Sequence, residues 1–391
     1  MRRFFLLWIP LVLGAETNYL SPIKQEKFEL ERQKNSAEAD KLKWQWLSVP
    51  TLGYGQTKNY DYPKTQKTTG FSVSVNQPIF KSGGIYYGIK YADVTRRFGE
   101  LDIASREKEM IKTAIALLYG LKKATFEVSK QELLVQNATI DVERKREQFL
   151  AGFIDSGTLD SALLDRNSAQ MRLFALLEQK AETWRNLRDI SDVNPDIIEL
   201  PRFELVNEDA FRTRNNEIKK ASLDREKKAI ERSLVVTTFL PTLAISANYY
   251  NQEYANSILR SDGWNEYYTT GLTLSIPFFD VTMVSKLESA RVDFLKASLQ
   301  ESDTRRSHEN FYLRWVQGVE IIKRKIALSQ DDIRLYDSLL QESKGRLGAG
   351  EITIFDVETI ENSLAIRKLD SEIYAIDEQL ALAEIYGKMH E

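Results

Sequence analysis

The residues best placed to do chemistry lie at a short glycine-containing turn near the carboxyl end of the chain. The turn runs from Leu347 to Thr353, and Asp356 follows three residues later. Thr-x-x-Asp is a capping-box-like helix start, in which the acidic side chain binds a backbone N–H group. Arg346, which immediately precedes the turn, is the nearest candidate counter-charge for Asp356. The spacing therefore predicts a capped helix start with a guanidinium beside it.

The composition offers little else for catalysis or metal binding. The 391 residues include no cysteine, which excludes disulfides, a thiolate metal site and a thiol nucleophile. The two histidines, His308 and His390, lie far apart, and no His, Asp and Glu set has metal-ligand spacing. Gly83-Gly84 is too short for a phosphate-binding loop and indicates a break between a strand and a helix. We therefore expect no enzymatic activity, no cofactor and no metal. The formal net charge of -3 also argues against a nucleic-acid partner.

Long helices must position the turn. Apolar and small residues step four, three, four, three along the chain before it, a strict 3.5-residue coiled-coil seam. The seam comprises Trp315, Val319, Ile322, Ile326, Ser329, Ile333, Tyr336, Leu340, Ser343 and Leu347. The returning helix repeats the step through Asn362, Ile366, Leu369, Ile373, Ile376, Leu380 and Ala383. An uninterrupted helix from 278 to 347 would be about 100 Å long, so an elongated molecule is expected.

The chain contains an internal duplication. Pro50-Thr51-Leu52 recurs as Pro241-Thr242-Leu243, and Ala151-Gly152 recurs as Ala349-Gly350. A repeat of this length indicates a doubled architectural unit. The predicted division is a first repeat at 16–191, a linker or equatorial segment at 192–208, and a second repeat at 209–391. A helix is predicted over 210–237.

A secretory signal peptide is predicted at residues 1–15. Arg2 and Arg3 precede an apolar run from Phe4 to Leu13, and small residues follow it. The alternative is a short N-terminal anchor helix, but the run is short of the ~20 residues that span a bilayer.

Each repeat carries two predicted strands of about 9–11 residues, the length of a tilted transmembrane strand. Polar loops are expected at 59–68 and 251–265. Apolar residues alternate with small polar ones along the strands, which favours lipid on one face and water on the other. The predicted lipid-facing positions are Phe71, Val73, Val75, Leu272, Leu274 and Ile276. The alternative is a small soluble sheet whose apolar face is buried. Because barrels need about eight strands or more, the membrane interpretation requires an oligomer.

The order strand, strand, long helix, turn, helix, present twice, resembles the TolC-type outer-membrane efflux proteins. The residues that carry this resemblance are Leu240-Pro241-Thr242-Leu243, Val75 to Phe80 with Gly83-Gly84, and Arg346 to Val357. The last stretch matches the family's Gly-x-x-Thr-x-x-Asp-Val turn. The resemblance covers residues 20 to 391, although the first turn, residues 151–160, departs from this spacing.

The resemblance implies a mostly α-helical fold with a small β part. Its parts are duplicated antiparallel helical hairpins in a coiled-coil α-barrel and four transmembrane strands per chain. A homotrimer would close these strands into a 12-stranded barrel in the lipid of a Gram-negative outer membrane, with the helices projecting into the periplasm. The implied function is passive efflux or type I secretion, with a periplasmic membrane-fusion adaptor and an inner-membrane pump as partners. The alternative is a periplasmic coiled-coil structural or tethering protein.

The same resemblance gives roles to the turn residues. It places Thr353, Asp356 and Arg346 at the constriction of the periplasmic entrance, where three copies of Asp356 would form a carboxylate ring. The alternative is that Asp356 only caps its helix. The implied adaptor-docking turns contain Ala151, Gly152, Phe153, Ala349, Gly350 and Glu351. Both glycines are expected in the left-handed conformation that ends a helix.

Overall fold

The computed structural model describes residues 19–61, 64–256, 261–278 and 280–389. The predicted signal peptide, 1–15, lies outside the described residues. Seven helices and four strands follow in the order α1 (Pro22–Trp44), β1 (Thr51–Asp61), β2 (Lys64–Phe80), α2 (Gly84–Leu150), α3 (Ser156–Arg188), α4 (Glu208–Arg214), α5 (Asn216–Thr237), β3 (Thr242–Ala255), β4 (Gly263–Ser275), α6 (Met283–Gly348) and α7 (Ile354–Tyr386).

The chain divides into two compact units that each draw on both sequence repeats. Unit 1 comprises Met1–Phe28, Ser105–Asn215 and Glu309–Glu391, and unit 2 comprises Glu29–Ala104 and Asn216–His308. Segments of α2 and α6 belong to both units.

Unit 1 is helical, and the predicted seam residues form its interior. Every predicted seam position of α6 and α7 is buried or half-buried. A core cluster around Trp315, Val319 and Ile385 includes Phe211. The Trp315 indole N–H donates to the backbone oxygen of Ala381 at 2.6 Å, so its one polar atom is satisfied. The 3.5-residue step thus predicted the packing face correctly.

Unit 2 contains one antiparallel sheet in the order β1-β2-β3-β4. The outer pairs are local hairpins, whereas β2 and β3 join the two repeats. The expected loops at 59–68 and 251–265 are mostly strand, because β1 and β2 remain paired to Asp61 and Lys64, and β3 and β4 remain paired to Tyr254 and Gly263. The polar residues there form backbone hydrogen bonds with the neighbouring strand. The alternation of apolar residues stops before these segments, so it did not predict that the strands continue.

The helix expected over 210–237 is interrupted at Asn215. This residue is extended, with φ -72° and ψ 120°, and separates α4 from α5. Its backbone forms an isolated antiparallel bridge with Met389. Pairing with another segment therefore overrides local helix preference at this position.

Candidate functional site

The two inter-helix turns of unit 1 end their helices with the same backbone motif. In the first turn the Phe153 N–H donates to the Gln148 oxygen, and the Gly152 N–H donates to the Phe149 oxygen. The second turn repeats this with Glu351 to Arg346 and Gly350 to Leu347. Both are Schellman motifs. Gly152 and Gly350 have φ of +77° and +78°, as predicted.

The helix starts after the two turns use the same two residue types in opposite order. At α7 the N-cap is Thr353 and the third helical residue is Asp356. At α3 the N-cap is Asp155, and its carboxylate accepts hydrogen bonds from the N–H and the hydroxyl of Thr158 at 2.8 and 3.1 Å. The first turn is thus Gly-x-x-Asp-x-x-Thr, which explains why it departs from the Gly-x-x-Thr-x-x-Asp spacing while keeping its geometry.

Asp356 is held by its own cap and by a cation from another helix. Its carboxylate accepts hydrogen bonds from the backbone N–H and the hydroxyl of Thr353 at 3.0 and 2.8 Å. The Arg144 guanidinium of α2 lies 3.6 Å from it. The Thr353 hydroxyl and N–H, and more weakly Arg144, lower the pKa of Asp356 from its ordinary value.

Arg346 does not serve as the counter-charge of Asp356. Its guanidinium pairs with Glu351 across the Schellman turn, at 3.1 Å. Sequence reasoning missed Arg144 because that residue is distant in the chain. The sequence did contain one signal: Arg144 lies seven residues after Asn137, so both residues are on the same face of α2. Three glutamates, Glu143, Glu358 and Glu361, also line a groove of about 420 Å³ between α2 and α7 and add negative charge near this end of the helices.

The turn residues predicted for docking are solvent-exposed. Ala151, Gly152, Ala349, Gly350 and Glu351 are all exposed. Phe153 has 82% of its surface exposed, a large value for an aromatic side chain. A hydrophobic residue in its position of a Schellman motif often packs back onto the helix, but the helix residue opposite it is the polar Gln148. Phe153 therefore remains available to another molecule.

The strand register places the predicted lipid-facing residues on one face of the sheet. Tyr54 pairs with Phe71, Val75 pairs with Ala247, and Ile245 pairs with Leu272. Paired residues share a face, so Phe71, Val73, Val75, Leu272 and Leu274 lie together with Leu52 and Ile245. Leu272 and Leu274 are 68% and 61% exposed. Ile276 is exposed but lies one residue beyond the end of β4.

The opposite face of the sheet carries small polar residues and, toward the β3–β4 connection, the tyrosines Tyr250, Tyr254 and Tyr267. It carries Thr51, Ser74, Asn248, Thr269 and Ser275. The hydroxyls of Thr51 and Ser74 are 2.7 Å apart and share a hydrogen bond. β1 and β4 are the edge strands, and each pairs with one neighbour in the described part of the chain. Edge strands present unpaired backbone groups that another chain can satisfy.

No helix in the described part of the chain is both long enough and apolar enough to span a membrane. No group of three or more His, Cys, Asp or Glu side chains among these residues is arranged to hold a metal ion.

Comparisons with known proteins place this architecture. No protein-family model and no curated protein matches the chain. Among solved structures, the outer membrane protein VceC of Vibrio cholerae superposes with a TM-score of 0.72 at 17% identity, over 93% of each chain. The CmeC outer membrane channel of Campylobacter jejuni gives 0.71 at 13% identity, over 95% of this chain and 84% of that one. This chain has the fold of an outer-membrane channel.

The outer-membrane-channel fold also includes the MtrE channel of Neisseria gonorrhoeae, whose open state gives a TM-score of 0.63 at 11% identity, over 93% of this chain and 85% of that one. The predicted fold class, mostly helical with a four-stranded antiparallel sheet, is confirmed. The resemblance to the TolC-type outer-membrane efflux proteins is confirmed at the level of the fold.

Proposed function

We propose that the chain is one subunit of a trimeric outer-membrane channel that passively conducts small molecules or proteins to the cell exterior. The observation that carries this proposal is the outer-membrane-channel fold together with an exposed apolar face on a four-stranded sheet. Apolar residues alternating with small polar ones suit lipid outside and water inside. In this proposal three chains with four strands each close one 12-stranded barrel, which pairs every β1 edge with a β4 edge.

Exposed apolar residues on the helices support assembly with other copies. α6 exposes a row at intervals of seven or eight residues, here named the α6 stripe: Leu313, Ile321, Leu328 and Leu335. Their side chains are between 56% and 63% exposed. α3 exposes Leu164, Met171 and Phe174 to a similar degree. Apolar rows of this kind on water-facing helices mark interaction surfaces.

In the proposed assembly the helices lie in the periplasm of a Gram-negative cell, and the two turns meet a periplasmic adaptor that links the channel to an inner-membrane pump. Phe153, Gly152, Gly350 and Glu351 are the proposed docking residues, and their exposure supports this role. Asp356 is the proposed entrance residue, because three copies would place three carboxylates close together.

Membrane fractionation and unboiled gel electrophoresis test the proposal. The expected result is an outer-membrane protein that migrates as a heat-dissociable trimer and forms conducting channels in a planar bilayer. The competing function is a periplasmic tether, which has no use for an exposed apolar strand face. A monomer in the periplasmic fraction, without conductance, would exclude the channel and favour the tether.

A further inference from the structure

A ladder of polar side-chain pairs joins α2 to α7 within unit 1. Its four rungs, here named the polar ladder, are Lys123–Asp377 at 2.6 Å, Lys130–Asp370 at 2.6 Å, Asn137–Asn362 at 2.8 Å and Arg144–Asp356 at 3.6 Å. The α2 members recur every seven residues, so all four lie on one face of that helix.

The ladder lies on a seam that is polar near the turns and apolar farther along. Asp370 is only 8% exposed and also contacts Arg367 at 3.3 Å, whereas the other charged members of the ladder are 29–44% exposed. Ile115 and Ile376 share a core cluster farther along the same seam. Buried ion pairs are weak sources of stability relative to apolar packing, and their best-attested use is to select a register or a partner. Partner selection therefore explains the ladder better than a contribution to stability does.

The internal duplication allows the ladder residues of α2 to be compared with the equivalent residues of α6. α3 and α7 each have 33 residues, and α2 and α6 have 67 and 66. Gly152 and Gly350 occupy the same place in their Schellman motifs, so equivalent residues are 198 positions apart. Adding 198 to Lys123, Lys130 and Asn137 gives Ile321, Leu328 and Leu335.

For three of the four rungs the corresponding α6 residue belongs to the exposed α6 stripe, and the counterpart of the fourth, Arg144, is the exposed Glu342. Leu313 extends the correspondence, because its counterpart is the buried Ile115. In α2, the face that carries the polar ladder is covered by α7. The counterpart of α7 in the first repeat is α3. The chain's own α3 packs on α2, where the Gln131 amide donates to the Ala169 oxygen at 2.9 Å. The occupant of the α6 stripe should therefore be the α3 helix of a second copy.

We propose that the polar ladder and the α6 stripe are an orthogonal pair that separates the seam within a chain from the seam between chains. An α7 helix placed on the α6 stripe of another copy would set Asp370 and Asp377 opposite Leu328 and Ile321 instead of Lys130 and Lys123. An α3 helix placed on the ladder face of α2 would bury Lys123 and Lys130 without carboxylates. Both wrong pairings lose the two ion pairs of the ladder, and the cost is greatest at the buried Asp370, so each helix selects its own groove. This inference rests on the proposed oligomer.

Engineered disulfides can report which seam forms, because the chain has no cysteine of its own. Asn137→Cys and Asn362→Cys introduce a pair at a rung whose side chains are 2.8 Å apart. In this background the ladder is made apolar with Lys123→Leu, Lys130→Leu, Asp370→Leu and Asp377→Leu. The matched control keeps every charge with Lys123→Arg, Lys130→Arg, Asp370→Glu and Asp377→Glu. After oxidation of the detergent-extracted full-length protein, disulfide products are separated on denaturing, non-reducing gels and the oligomeric state is measured on unboiled gels.

The parent and the charge-conserving control should give intrachain disulfides within a uniform oligomer. The apolar ladder should lower the yield of the 137–362 disulfide, because an α7 helix docked on the α6 stripe places the thiol at position 362 opposite Leu335 and away from the thiol at position 137. An undiminished intrachain disulfide and a uniform oligomer in the apolar variant would overturn the inference while leaving the oligomer intact. A monomeric parent would instead overturn the proposed function on which it rests.

A second variant, which adds a charge to the α6 stripe, tests the inference even if the apolar ladder variant misfolds. Leu328→Lys places a ladder residue type on the α6 stripe and should dissociate the oligomer while the 137–362 disulfide still forms within each chain. Ala327→Lys, an exposed neighbour off the stripe, should leave the oligomer unchanged. Retention of the oligomer in Leu328→Lys would contradict the inference.

Discussion

Asp356 combines a structural and an electrostatic role at one carboxylate. The hydrogen bonds from Thr353 hold it at the start of α7, and Arg144 of α2 lies on its other side. Because these partners lower its pKa, Asp356 is ionised at neutral pH. Three such carboxylates around a narrow entrance would attract cations.

Asp356→Asn separates the two roles, because it removes the charge but keeps a hydrogen-bonding side chain. If Asp356 shapes the entrance, the variant in a planar bilayer should lose cation selectivity and block by multivalent cations. If the residue is only a cap, selectivity should match the parent, and the change should be a stability loss of about 1 kcal/mol. Unchanged cation selectivity would therefore remove Asp356 from the entrance.

The pH dependence of stability should carry the signature of both helix caps. Asp155 and Asp356 have folded-state pKa values below the ordinary 3.8, because each accepts hydrogen bonds from a threonine N–H and hydroxyl. A carboxylate whose pKa is lowered by folding stabilises the folded state at pH values above its unfolded-state pKa. This stabilisation is lost as the pH falls through the folded-state pKa.

Melting temperatures of the parent and Asp356→Asn should thus differ above pH 4 and converge below 3.8. The effect should be small, because Asp356 is more than a third exposed and solvent screens its charge. A constant difference across this range would show that the carboxylate charge makes no contribution.

Gly350 tests the docking role of the second turn. A Cβ atom added there would meet no atom within 4 Å, so the cost of adding it comes from the φ of +78° and not from crowding of the Cβ atom. That cost is about 1–2 kcal/mol. Gly350→Trp should therefore leave the oligomer in the membrane while abolishing export.

Gly345→Trp is the matched control for this substitution. Gly345 also has open space around it but lies inside α6. It should retain export in a cell-based efflux assay. Full export by a well-expressed Gly350→Trp variant would mean that the turn is not a docking surface.

At the scale of the elements, the two faces of β4 should respond oppositely to charge. Leu274 pairs with Leu243 on the apolar face, and Ser275 pairs with Thr242 on the polar face. Leu274→Arg should destabilise the inserted protein by about 2–4 kcal/mol if it lies near the bilayer midplane. Ser275→Arg should be tolerated and should alter conductance. Equal disruption by both, measured by heat dissociation of the oligomer, would contradict the proposed membrane face.

The elements differ in how much of them the sequence could predict. The buried seams of α6 and α7 followed from residue spacing, because packing a long helix against another requires that period. The Asp155–Thr158 cap was missed because the aspartate and the threonine occupy the reverse positions of Thr353 and Asp356, although the backbone geometry is the same. The Arg144–Asp356 pair and the break at Asn215 depend on segments more than 170 residues away in the chain. Local pattern carries no information about such pairings.

At the scale of the whole molecule, barrel closure predicts contact between β1 of one copy and β4 of the next. Within one chain these strands are separated by two others, and at about 4.8 Å per strand they are ~14 Å apart, too far for a disulfide. A cysteine at Gly55, tested against single cysteines at positions 267–271 of β4, should therefore form only interchain bonds. Absence of any crosslinked product at every position would argue against closure by β1 and β4.

The central pair of the sheet sets the order in which the chain can fold. Val75 pairs with Ala247, which lies 172 residues later, whereas the β1–β2 hairpin is local. At a synthesis rate of about 5–20 residues per second, the partner of β2 is made roughly 10–30 s after β2 itself. Pairing between segments so far apart is also intrinsically slow. Until β3 pairs with β2, Phe71 and Val73 lack their β3 neighbours, so a chain without a formed β3 has an apolar edge strand that is prone to aggregation.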